Sequence, residues 1–328
     1  MFRDSLEPLW QYLDSPDVSE IMVNRFDSIY VEQRGQMNRV DSKLSEVMLQ
    51  GAIAALANSV NTPLNRGTAN GIINAGHGNL RIAAVTSPTA VDGDALSIRR
   101  HRDQHFFLDD YVKMGALSRA LAKPITANVS SFEEGLEDEA LAAALKYMVV
   151  SRNSAIIAAG TSGGKTSFLN AVNACIPPEE RLITIEDTVE LQPIVPNRVR
   201  LLANKEQGVT ARLLVQLCLR MRPDRIIMGE VRGGEAFDLL QALNTGHEGG
   251  YATLHSNTAA SALSRLETMA MLGLPEGSKW EMSDMRKTVA EAINYVIHFR
   301  KSGELRHVSE ILEVRGYDER GYDLRRVF

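Results

Sequence analysis

The run AIIAAGTSGGKTSFLNAVNACI, residues 155–176, carries the groups needed to hold a chain of phosphates. A short apolar stretch is followed by a glycine-rich turn, and then by Phe168, Leu169, Val172 and Cys175 on one helical face. Strand, glycine loop and helix start are the context in which a phosphate loop forms. Backbone N–H groups of Gly160, Thr161, Ser162, Gly163, Gly164 and Lys165 would point at the β-phosphate, helped by the positive end of the helix dipole. Lys165 would reach the β- and γ-phosphates, Thr166 would offer its hydroxyl to Mg²⁺, and Ser167 closes the binding segment. The pattern has glycine where this chain has Ala159. A methyl is tolerable there if the strand ends with φ still negative.

A nucleotide bound at such a loop needs acids on neighbouring strands. RIIMGE (225–230) is an apolar strand ending in Gly229 and Glu230, with the glycine where aspartate is usual. LITIEDTVEL (182–191) is a second strand tipped with acid, in Glu186, Asp187 and Glu190. Ligands of parallel sheets bind beyond the carboxyl ends of the strands, where both clusters fall. Thr166 and Glu230 are the expected metal-facing residues. TGHEGGYATLH then sets His247 and His255 on either side of a further buried strand. No cysteine or further carboxylate stands at zinc-ligand spacing from them, so a role in sensing phosphate or bound water is expected rather than metal binding.

The elements that must position these groups are legible as strand–helix alternation from residue 140 onward. Near-continuous apolar strands in that pattern predict a mostly parallel sheet covered on both faces. The earlier part is different. SEIMVN, SIYVEQRG, NLRIAAVTS and ALSIRRHR read as strands, and Leu44, Val47, Met48, Ile53, Leu56 and Val60 as the inner face of one helix. The expected division is a small α/β domain at 1–102, a linker at 103–139 with an aromatic helical piece (105–117), and a second α/β domain at 140–328. A length of 328 residues accords with two cores. The net charge of −5, with no basic stretch interleaved with aromatics, argues against stable nucleic-acid binding. Cys175 and Cys218 are expected as unpaired thiols of a reducing compartment. The opening MFRDSLEPLWQYLDS has no signal-peptide core, and no apolar run approaches the roughly 20 residues that span a bilayer. A cytoplasmic chain is the expectation.

The ordered strings GTSGGKT, TIEDTVEL, RMRPDRIIMGEVRGGEA and NTGHEGGYATLHSN resemble the Walker A, Asp box, Walker B and His box of the secretion-ATPase superfamily. The similarity is to the traffic ATPases of type IV secretion and conjugation, with pilus assembly or retraction ATPases the second choice and a DNA translocase a distant third. SEIMVN…IYVEQRG and LSIRRHR extend it to the first domain. The resemblance implies a PAS-like N-terminal domain, a RecA-type C-terminal domain, and a homohexamer at the cytoplasmic face of the inner membrane that hydrolyses ATP with Mg²⁺ alongside the other components of its machine. It implies that Glu230 organises metal and water, and that Glu186 competes with it as general base. His247 and His255 would sense the γ-phosphate, and Arg81 and Arg99 would reach the nucleotide's phosphates. Arg220, Arg222, Arg225 and Arg232 are left as alternatives for a contact between subunits.

Overall fold

The computed structural model describes residues 2–100, 132, 138–160, 163–302, 305–319 and 321–328. Two sheets organise them. The first lobe holds α1 (Trp10–Asp14), β1 (Val18–Arg25), β2 (Ser28–Gln33), β3 (Gln36–Val40), α2 (Glu46–Ser59), β4 (Ile72–His77), β5 (Leu80–Val85) and β6 (Ala95–Arg100). Its strands run in the order β3-β2-β1-β6-β5-β4, each antiparallel to its neighbours. Ser45 caps α2 by accepting from the Met48 N–H, satisfying a donor the helix cannot pair itself.

α2 buries Leu49, Ala52, Ile53, Leu56 and Ala57. Val47 and Val60, expected on that face, are instead 76% and 37% exposed. Because the helix begins at Glu46, Val47 sits in its first turn and points outward. The inner stripe is completed by two alanines, whose small side chains let the helix lie close on the sheet. β3 and β4 had no counterpart in the sequence reading: QMNRV is largely exposed and IINAGH ends in exposed polar positions. Neither offers a full apolar alternation.

The second lobe contains α3 (Asp138–Val150), β7 (Ala155–Ala159), α4 (Lys165–Asn173), β8 (Leu182–Glu186), β9 (Arg198–Leu202), α5 (Ala211–Cys218), β10 (Arg225–Met228), α6 (Glu235–Asn244), β11 (Tyr251–His255), α7 (Ala259–Met271), α8 (Met282–Ala292), β12 (Tyr295–Ser302), β13 (Leu305–Asp318) and β14 (Gly321–Arg326). The sheet order is β14-β13-β12-β7-β11-β10-β8-β9. From β12 to β9 every neighbouring pair is parallel, and β13 and β14 add an antiparallel margin. Side chains alternate between two cores. Ile156, Ala158, Ile183, Ile185, Ile226 and Met228 face one, while Ala155, Ile157, Ala159, Leu182 and Ile227 face the other. This is the small α/β domain followed by a RecA-like domain that the sequence predicts. Cys218 is buried and Cys175 half-buried, and both are free thiols.

The lobes touch along β8 and β9. Val91 donates to the Arg200 carbonyl (2.9 Å) and Leu202 to the Thr89 carbonyl (2.8 Å), around a bridge between Ala90 and Leu201. Arg200 Nε donates to Asp92 at 2.9 Å. Arg181, with no exposed surface, donates to Asn24 (2.5 Å), Asn197 (2.7 Å) and the Met221 carbonyl (2.9 Å). Burial lowers its guanidinium to about 10, so it stays charged at neutral pH. A buried charge of this kind is tolerable only because its donors are matched. Ile72, Ala83, Val85, Ala90 and Ala95 of the first lobe join the apolar core of the second. Most of the expected linker, including residues 105–117, lies outside the described residues. Phe132 within it is buried edge-on against Tyr295, and its carbonyl accepts from Arg325.

Candidate nucleotide site

β7 delivers the loop at its carboxyl end and α4 starts at Lys165, as the motif requires. A Cβ on Gly163 would lie 2.5 Å from the Ala159 methyl, so this glycine makes room for the alanine that departs from the pattern. Gly164 has φ +87°, which a side chain would strain. No side chain caps the N-terminus of α4. Its first N–H groups are therefore available to an anion. Lys165 Nζ lies 3.4 Å from the Ala159 and Gly160 carbonyl oxygens, resting on its own loop. Burial lowers its ammonium below the usual lysine value, with the Glu230 carboxylate opposing and Arg232 adding to the shift. Thr161 and Ser162 lie outside the described residues.

The loop opens on a cleft of about 530 Å³ lined by Gly163–Ser167, Glu186–Thr188, Glu190, Gly229, Glu230, Arg232 and Thr253. The predicted strand-tip acids thus converge on Lys165 and Thr166. They do so in two different states. Glu186 is 5% exposed, and its Oε1 accepts the N–H groups of Glu190 (2.9 Å) and Leu191 (2.7 Å), tying down the loop that follows β8. Burial raises its carboxyl above the ordinary range, and these two hydrogen bonds oppose the shift. A Cβ on Gly229 would stand 3.1 Å from Glu186 Cγ. Glycine, just past the end of β10, leaves room beside it for the β8 glutamate. Glu230 is the more open acid. Its Oε2 accepts from Arg232 Nε (2.9 Å) and Nη2 (2.5 Å), while Arg232 Nη1 donates to Asp187 (3.0 Å). The sequence reading named Arg232 only as one of four alternatives for a subunit contact; its companions Glu230 and Asp187 were the signal that it belongs here.

Other predicted residues fall elsewhere. His255 ends β11 in a neighbouring cleft of about 570 Å³, shared with Arg232, Ser256, Asn257 and Arg265. His247 precedes β11, and its Nδ1 lies 3.2 Å from the Pro223 carbonyl oxygen. Burial holds its imidazole below the usual histidine value. It lines a cleft of about 940 Å³ between the lobes, together with Arg81, Arg99, Arg220, Arg222 and Glu20. That cleft sits before the amino ends of β10 and β11, whereas the phosphate loop lies past the carboxyl ends of the same sheet. The four residues of β10 alone separate the two levels by about 13 Å. One chain therefore does not bring Arg81, Arg99 or His247 to its own phosphate loop. Arg225, also once an alternative for a subunit contact, is buried on Glu180 at 2.6 Å.

Sheet order, glycine loop, lysine and acid-tipped strands together define a RecA-like P-loop domain carrying a small antiparallel domain at its N-terminal side. Residues 119–300 match the family described as "Type II/IV secretion system protein". The chain belongs to this family, and within it to the type IV secretion and conjugation branch. It is 33% identical over 327 residues to "Conjugal transfer protein TrbB" of Rhizobium radiobacter, covering 98% of this chain and 91% of that one. It is 30% identical to "Type IV secretion system protein VirB11" of Brucella suis, covering 93% and 88%. The crystal structure of the Brucella suis VirB11 ATPase in complex with sulphate superposes with a TM-score of 0.82 at 28% identity, over 95% of this chain and 94% of that one.

Proposed function

We propose that the chain is an ATP-hydrolysing motor of a type IV secretion or conjugation machine, acting as a closed homohexameric ring. The observation that carries the reading is the placement of two half-sites on opposite ends of one parallel sheet. A phosphate cleft at one end and an arginine cleft at the other make a head-to-tail interface, the kind that closes into rings. Arg81 and Arg99 face each other across β5 and β6, an unfavourable pairing of like charges that an anion would relieve. Glu20, across from Arg99 on β1, offsets it only partly. Six is the number of subunits that the family resemblance implies. On this reading 1–102 and 140–328 are the two domains and 103–139 joins them.

The donor set fits ATP with Mg²⁺: a hydroxyl at Thr166, a carboxylate at Glu230 and an ammonium at Lys165 line one cleft. Mg²⁺, when bound, would neutralise charge on the phosphate oxygens. Lys165 leaves the carbonyls of its own loop for the β- and γ-phosphates. Glu230 orients the attacking water and takes its proton, and Glu186 holds the 187–191 loop against the site. His255, at the strand end nearest Ala159, reads the γ-phosphate position. His247, Arg81 and Arg99 face the neighbour's nucleotide. Among the described residues no helix is long and apolar enough to cross a membrane. We place the ring at the cytoplasmic face of the inner membrane, held there by other components of its machine.

Mixing variants tests the ring. Lys165→Ala and Arg99→Ala proteins should each hydrolyse ATP far more slowly than the unaltered chain. Subunits exchanged at equal amounts should recover about a quarter of the original rate, because one junction in four then joins an intact loop to an intact arginine. No recovery, or full activity of the Arg99→Ala protein alone, overturns the arrangement.

A further inference from the structure

Arg232 bridges the acids that follow the two acid-tipped strands. Its guanidinium spans Glu230 on the β10 side and Asp187 on the β8 side. Its backbone is fixed from below. Glu235 Oε1 accepts the N–H groups of Arg232 and Gly233, both at 2.8 Å, and Val231 N–H donates to the Thr253 carbonyl at 2.9 Å. Gly234 is pressed against Gly273, with room for no side chain. The side chain beyond this anchor is 57% exposed and stands on the wall between the phosphate cleft and the neighbouring His255 cleft. It thus has a second, polar space to enter without any movement of the backbone.

Resting on the nucleotide-site reading above, we propose that Arg232 is an autoinhibitory latch. In the nucleotide-free chain it takes the place of the divalent cation on Glu230 and Asp187, and it must swing toward the His255 cleft before Glu230 can serve metal and water. A guanidinium resting on Glu230 Oε2 and Asp187 repels a divalent cation brought to the same two carboxylates, so Arg232 and the metal compete. Two guanidinium N–H groups converging on one Glu230 oxygen, with a third on Asp187, make a charge-assisted but reversible pairing. The pairing keeps two neighbouring acids from repelling one another in the empty site. It also keeps Glu230 off stray metal until phosphates arrive to supply the additional ligands. Arg232 is a positioning residue on this account, acting through Glu230.

The test measures binding rather than turnover. Free Mn²⁺ is followed by electron paramagnetic resonance as it is titrated into the full chain, with and without ADP. Without nucleotide, Arg232→Gln should bind Mn²⁺ about threefold to tenfold more tightly than the unaltered chain, the range expected on removing two partly exposed ion pairs. Arg232→Lys, which keeps the charge and loses the fork, should show a smaller gain. Adding ADP should narrow the gap between variant and parent, since the latch is then already displaced. Equal or weaker Mn²⁺ binding by Arg232→Gln, or a larger gain in the lysine variant, overturns the latch. If ADP fails to strengthen Mn²⁺ binding even in the unaltered chain, the nucleotide-site reading falls first, so the two failures are told apart.

Discussion

At the scale of single residues, the two glutamates that the sequence offered as rival bases are distinguished by what they already hold. Glu186 is sealed and spends one oxygen on two backbone donors, whereas Glu230 opens to the cleft. Glu230→Gln should therefore keep ATP binding while hydrolysis falls by roughly two to four orders of magnitude. Glu186→Gln, whose amide oxygen still accepts both N–H groups, should lose less. Glu186→Ala strands two donors and should lower stability by about 1–3 kcal/mol, read from chemical denaturation. A Glu186→Gln protein slower than Glu230→Gln would reverse the assignment. The loop lysine, its threonine and both acids were legible in the chain because each stands at a fixed offset from a strand end or a glycine. Arg232 was legible only in part: Glu230 stands two residues from it, whereas Asp187 follows a strand far off in sequence. Nor could the sequence show that Glu186 leans over Gly229.

Among the elements, β1 carries the most telling titration. Burial raises the Glu20 carboxyl to about 7, against the lowering pull of Arg222 and Arg99 and with Glu32 and Arg181 also near. A carboxyl raised above its unfolded value holds its proton longer in the folded chain. Stability is then lost as pH rises from the unfolded value of about 4.5 through about 7. Glu20→Gln removes this dependence. Its melting temperature relative to the parent should be more favourable at pH 8 than at pH 5, by a few degrees. A gap that stays constant or shrinks at pH 8 would contradict the burial. The sequence showed the β1 and β6 strands but not their pairing, and it is the pairing that sets Glu20 beside Arg99. Most strands of the parallel sheet were plain because each is a short, largely apolar run. β3 and β14 escaped notice because partly exposed margin strands carry mixed side chains. On α2 the apolar residues were recognised, but the phase of the helix was set by its cap at Ser45 and by alanines no different in pattern from surface ones.

For the whole molecule, the two-domain order was legible and the docking was not. Nothing in the sequence says which end of the second sheet the first lobe approaches, because the contacts joining them rest on single residues such as Asn24, Asp92 and Arg181. The bridge at Ala90 and Leu201 has a consequence for cutting the chain apart. β9 is the last strand of the large sheet, and its outer backbone groups near Arg200 and Leu202 are paired by the 89–91 segment of the first lobe. Unpaired strand margins recruit strands from other molecules. The first lobe is thus a shield as well as, in the proposed ring, half of the junction between subunits. A fragment beginning at residue 138 would bare that margin along with the apolar patch that Ile72, Ala83 and Val85 now cover. Such a fragment should clump in light scattering at concentrations where the entire chain stays in particles of one size; a well-dispersed fragment would show that the margin protects itself.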